Sequence, residues 1–91
     1  MKSFTYRIDD PNGMHARPAG KLATYAKQFD CDVRVRCKDR EADAKRLLSL
    51  MSLGAGCGEE LHFQLVGADE EEACRMLEAF CNKNWNGGDG V

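Results

Sequence analysis

With 91 residues, 43% of them hydrophobic and 31% charged, the chain can build one modest core and not two. A formal net charge of -2 argues against a nucleic-acid binder, and no apolar stretch reaches the length of a membrane span. Met1-Lys2-Ser3-Phe4-Thr5 runs straight into a strand pattern without the apolar core of a signal peptide. The five cysteines, Cys31, Cys37, Cys57, Cys74 and Cys81, are odd in number and form no CxxC pair. Thiols in the cytoplasm therefore fit better than a disulfide framework. Zinc is a weak alternative, because neither His15 nor His62 has a ligand-spaced cysteine near it.

Phe4, Tyr6 and Ile8 alternate with Ser3, Thr5 and Arg7, the period of a half-buried strand. Asp9-Asp10-Pro11-Asn12-Gly13 is dense in turn formers. A helix over 16–28 follows, with apolar positions Ala16, Ala19, Leu22, Ala23, Ala26 and Phe29. Val33, Val35 and Cys37 form the inward phase of a second strand, Lys38-Asp39 turns the chain, and a short third strand covers 40–43. The segment 44–53 is too apolar all round for a simple surface helix. A short helix there can bury Leu47, Leu50 and Met51 and still expose one apolar flank, which is either a docking surface or further core. Gly54, Gly56 and Gly58 break it.

Leu61, Phe63 and Leu65 mark the last strand, over 60–66, with His62 as an exposed strand residue. Asp69 followed by Glu72 fits a capping box for a last helix whose apolar stripe is Ala73, Met76, Leu77 and Phe80. Cys74 and Cys81 sit a heptad apart on its flank and read as small hydrophobes. Helix formers thin out after Lys83, so the chain divides into a domain over 1–85 and a flexible tail over 86–91. Four half-apolar strands and three helices, in the order βαββαβα, call for an α/β (α+β) two-layer sandwich with an antiparallel sheet. Patterning alone leaves the strand order open.

His15 stands at or just outside the first residue of the first helix. Unpartnered N–H groups and the helix dipole favour an anion there. Arg17 adds a guanidinium of the kind that grips phosphate oxygens, and Pro18 fits a first turn because its missing N–H is not needed. A histidine so placed can hold a phosphoryl group. The local pattern fits a polar helix cap equally well.

Three stretches resemble the histidine-containing phosphocarrier family, HPr, of the bacterial sugar phosphotransferase system. They are Gly13-Met14-His15-Ala16-Arg17-Pro18-Ala19, Leu50-Met51-Ser52-Leu53-Gly54 with the glycine-rich 55–58 after it, and Gly67-Ala68-Asp69-Glu70-Glu71-Glu72-Ala73. The resemblance covers about residues 3–84 in register. It implies an open-faced, HPr-like sandwich with sheet order 1-4-2-3 and three helices on one face.

It also implies a carrier rather than a free-standing turnover enzyme, cytoplasmic and monomeric, with no cofactor, no metal, no nucleic acid and no membrane insertion. Phosphorylated enzyme I would donate to Nδ1 of His15, and His15 would pass the group to IIA domains of sugar permeases. Arg17 and the backbone N–H groups of Ala16 and Arg17 would hold the phosphate. Leu47, Leu48 and Met51 would dock partners, and Arg17, Lys45, Arg46 and Lys27 would favour acidic partner surfaces. Transcriptional regulators are a further partner class, which a regulatory relative would use instead of transfer, and a nitrogen-branch carrier would share the chemistry with other partners. One departure stands out: Lys45-Arg46 occupies the place where many relatives carry a Lys-Ser pair with a regulatory serine. Arginine cannot be phosphorylated by the serine kinase, so that switch is not expected at this site.

Overall fold

The computed structural model describes residues 1–85, and the expected tail over 86–91 lies outside the described residues. The elements follow the expected order: β1 (Lys2–Arg7), α1 (Ala16–Ala26), β2 (Asp32–Cys37), β3 (Arg40–Asp43), α2 (Leu47–Met51), β4 (Glu60–Val66) and α3 (Glu70–Asn84). The strands form one sheet in the order β1-β4-β2-β3, antiparallel at every pairing. Order 1-4-2-3, left open by patterning and implied by the resemblance, is the order found. No helix among the described residues is long and apolar enough to cross a membrane.

Alternation decides which face is covered. Phe4 and Tyr6 of β1, Val33, Val35 and Cys37 of β2, and Leu61, Phe63 and Leu65 of β4 all point inward and are buried. Phe4 stacks on Phe63 across the β1–β4 register, with ring centroids 4.4 Å apart. Helix α1 contributes Leu22, Ala23 and Ala26, and α3 contributes Ala73, Leu77 and Cys81. Ala16, counted among the apolar positions of α1, is exposed, because the helix face has not yet turned toward the sheet. All five cysteines are free, and Cys31, Cys37 and Cys81 are buried.

Two expectations need correction. In α2 only Leu50 is fully buried; Leu47 is 41% exposed and Leu48 81%, while Met51 packs partly against the core. Five residues make little more than one turn, which turns a single side chain squarely inward. The capping box is also absent, since Asp69 makes no side-chain bond to its own helix. Its carboxylate instead accepts the backbone N–H groups of Asp30 (2.8 Å) and Cys31 (2.9 Å), tying the start of α3 to the entry of β2. The neighbouring Glu70 accepts the N–H of Gly67 at 3.0 Å.

These bonds, the Asp30 N–H first, hold the Asp69 carboxyl below the usual carboxylate range. A depressed folded-state pKa contributes stability that is complete above the ordinary carboxylate range and lost as pH falls below it through the lowered folded-state pKa. Thermal melts from pH 7 to pH 3 should therefore show an acid limb, and Asp69→Asn should lower the melting temperature at pH 7 while flattening that limb. An acid limb of unchanged steepness in the variant would remove Asp69 from the account.

Candidate functional site

The site is a strap, residues 8–15, held between β1 and α1. Asp10 C=O accepts the N–H of Gly13 at 2.8 Å, and one carboxylate oxygen of Asp10, Oδ1, accepts the N–H of Asn12 at 2.9 Å. Together they close the turn through Pro11 and Asn12. The loop after α2 pins both ends of the strap. Ile8 donates to Glu59 C=O (2.9 Å) and accepts from Gly58 N–H (2.7 Å), while Met14 N–H donates to Ala55 C=O (2.9 Å). Glu59 holds that loop in turn, accepting from Gly56 N–H at 2.8 Å and pairing with Lys38 at 2.6 Å. Met14 is buried, so the next residue is delivered outward.

That next residue, His15, is the N-cap of α1, with extended backbone (φ -93°, ψ 178°) and no side-chain bond to the helix. Its ring turns back over the strap, and Nε2 lies 3.0 Å from Asp10 Oδ2. The His15 side chain is 36% exposed, against 10% for that of Asp10. The Asn12 N–H, then the His15 bond, hold the Asp10 carboxyl below its ordinary range against the opposing effect of burial. Asp10 is thus an ionised acceptor at neutral pH. It engages Nε2 and not Nδ1.

The hydrogen-bond ladder of α1 opens with Ala19 N–H to His15 C=O at 3.1 Å. The N–H groups of Ala16 and Arg17 therefore precede it, and Pro18, buried in the same turn, brings none. Arg17 is exposed in this first turn. These groups and the helix dipole make the mouth of α1 favourable for an anion beside the imidazole.

The other expected residues lie farther off. Lys27 is the C-cap of α1, one 11-residue helix away from His15, about 16 Å. Lys45 sends its ammonium to Phe29 C=O at 2.7 Å, near that same far end, and Arg46 is the exposed N-cap of α2. Leu47 and Leu48 stand exposed on α2, with Met51 partly buried behind them. His15 and Arg17 are thus brought together at the helix mouth, and Lys27, Lys45 and Arg46 mark the opposite end of the α1–α2 surface. Sequence reasoning missed Asp10. Asp-Pro-Asn-Gly read only as a turn, and the usable signal was a carboxylate five residues ahead of a histidine across a tight reversal.

An imidazole fixed in this way can take a phosphoryl group on one nitrogen and give it up again, which is the chemistry of a phosphohistidine carrier. Residues 2–83 match the family described as the PTS HPr component phosphorylation site. The phosphocarrier protein HPr of Mycoplasma genitalium is 40% identical over 85 residues, covering 92% of this chain and 97% of that protein. The crystal structure of HPr from Thermoanaerobacter tengcongensis is 32% identical with a TM-score of 0.86, covering 93% and 96% of the two chains. That of HPr from Bacillus anthracis is 29% identical with a TM-score of 0.79, covering 87% and 94%.

The chain belongs to the HPr family of the phosphotransferase system. It carries phosphoryl groups from enzyme I to IIA domains through a histidine, as a carrier and not as a free-standing turnover enzyme.

Proposed function

We propose that His15 is the histidine that bears the phosphoryl group, on Nδ1. The observation that carries this reading is the N-cap position of His15, with a ring that does not cap its own helix. A phosphoryl group on Nδ1 has the first turn of α1 for its oxygens, where the N–H groups of Ala16 and Arg17 and the Arg17 guanidinium supply donors. As the group arrives from the donor histidine of enzyme I, the Nδ1–P bond forms while the donor's N–P bond breaks on the opposite side of phosphorus. The near in-line path makes positioning the main requirement. The same geometry runs in reverse toward a IIA histidine.

The partner surface extends from His15 along α1 to Lys27 and across to α2. Leu47, Leu48 and Met51 supply its apolar part, and Arg17, Lys27, Lys45 and Arg46 its positive rim. A span of about 16 Å suits an interface of roughly 800 Å² per partner. Basic groups on such a rim act mainly by steering an acidic partner and setting the on-rate, which suits a surface that two partners must use in turn. Family membership supports a cytoplasmic setting for this traffic. Residues 1–85 act as one domain.

The test is incubation with enzyme I and phosphoenolpyruvate, followed by peptide mapping and then addition of a IIA domain. An acid-labile, base-stable phosphoryl group on the peptide containing His15, lost on adding the IIA domain, is the expected result. A phosphoryl group mapping to His62, or none with active enzyme I, would overturn the reading.

A further inference from the structure

Asp10 is the group that the fold aims at His15 from behind. Its two carboxylate oxygens are divided: Oδ1 accepts the N–H of Asn12 at 2.9 Å, and Oδ2 faces Nε2 at 3.0 Å. The residue is 7% exposed, and its turn is closed by the bond from Gly13 N–H. An ionised carboxylate can only accept a hydrogen bond, so the ring nitrogen facing it must be the one bearing hydrogen. In a neutral imidazole the other nitrogen then carries the lone pair.

We infer that Asp10 is a positioning residue for phosphoryl transfer, one that holds the proton on Nε2 and keeps the Nδ1 lone pair directed outward throughout the cycle. The inference rests on His15 being the phosphoryl acceptor. On acceptance, the Nδ1 lone pair becomes the new N–P bond, and the electron pair of the broken bond returns to the donor nitrogen. The ring, still protonated on Nε2, becomes a phosphoimidazolium whose positive charge faces Asp10. On delivery the N–P pair returns to Nδ1 and the ring is again neutral. The Nε2 proton does not leave in either direction, so the carrier needs no proton exchange with solvent. The phosphoryl group and the carboxylate sit at opposite edges of the ring, which limits their repulsion. The arrangement follows the general logic by which a carboxylate fixes an imidazole's tautomer and stabilises its cation.

The divided carboxylate gives a test that a purely structural role would not pass. Asp10→Asn can retain the acceptor for Asn12 N–H and so preserve the turn, but it then presents its NH2 group to Nε2. That nitrogen would have to accept, moving hydrogen to Nδ1 and blocking the lone pair. Asp10→Ala removes both bonds and leaves the tautomer to solvent. The expected stability order is wild type, Asp10→Asn, Asp10→Ala. The expected order of rates at saturating enzyme I and phosphoenolpyruvate is different: wild type, then Asp10→Ala about tenfold slower, then Asp10→Asn about a hundredfold slower.

Ring ¹⁵N shifts of His15 in the unphosphorylated proteins, measured where the ring is neutral, should report the Nε2–H form in wild type and a shift toward Nδ1–H in Asp10→Asn. These spectra do not depend on transfer. Wild-type protein that acquires no phosphoryl group on His15 would therefore refute the acceptor assignment. An unchanged tautomer and an unchanged rate in Asp10→Asn, with wild-type protein phosphorylated normally, would overturn the role of Asp10 alone.

Discussion

Gly13→Ala is expected to destabilise the protein by about 2–4 kcal/mol and to slow phosphoryl acceptance by about tenfold or more at temperatures where the variant is still folded. Gly13 has φ +65°, in the left-handed region where a Cβ costs roughly 1–2 kcal/mol. A Cβ there would also lie 2.6 Å from Ala55 O and 2.8 Å from Gly56 Cα, both backbone atoms of the loop that pins the strap. Neither can swing aside as a flexible side chain could, so strap and loop must separate. The bond from Met14 N–H to Ala55 C=O is the one most directly loosened, and His15 is the next residue along.

The functional loss therefore has a cause separate from the loss of stability. A displacement of about 1 Å is enough to spoil an in-line approach. Gly20→Ala is the control, because a Cβ at Gly20 meets nothing within 4 Å. That change sits inside α1 and should stabilise by about 0.5–1 kcal/mol. Thermal melts and acceptance rates for the two variants check the argument. A Gly13→Ala protein with wild-type melting temperature and wild-type rate would show that strap and loop are not wedged together.

What the sequence discloses about this protein divides by the range of the interaction. The strands were legible because Val33, Val35 and Cys37, or Leu61, Phe63 and Leu65, repeat with a local period that one solvated face enforces. His15 and Arg17 were legible because a helix start is itself a local event. Asp69 was misread, since its nearest suitable donors in the chain belong to its own helix while the donors it serves, at Asp30 and Cys31, arrive from 39 and 38 residues away. The strap was legible as a turn but not as a support for the histidine, for a related reason. Asp10 carries every mark of a turn residue and does close the turn, yet its second oxygen serves the histidine. A composition signal cannot show that one carboxylate holds two partners. Apolar patterning placed Leu47 inside while the resemblance placed it on a docking surface, and the shortness of α2 turns it out.

Trp85 is the largest of the fully buried side chains, at 2% exposure, although it stands where the sequence led us to expect the ordered chain to end. It closes the end of α3 over β1, with its ring centroid 5.2 Å from that of Tyr6 and the planes tilted by 42°. Burial, aided by Asp9, Cys81 and Asp10, pushes the Tyr6 phenol up to about 12, so that ring stays neutral against the indole through the physiological range. Trp85→Ala should cost about 3–5 kcal/mol, a large share of the roughly 5–15 kcal/mol available to a domain.

Trp85→Phe should cost much less than truncation. The indole Nε1 is buried without a hydrogen-bond partner among the described residues, a penalty of roughly 1–3 kcal/mol that phenylalanine does not incur. The aromatic contact with Tyr6 survives and offsets part of the lost area. Denaturant titrations followed by circular dichroism can be compared across all three proteins. Equal losses for the two variants would mean that the indole N–H carries no penalty. The hydrogen bonds described for the strap run to the loop after α2 and within the strap itself, not to Trp85, so either variant should still accept a phosphoryl group at close to the wild-type rate while folded. In Trp85→Ala stability should fall without the rate, whereas in Gly13→Ala both should fall, which separates what holds the domain together from what aims His15.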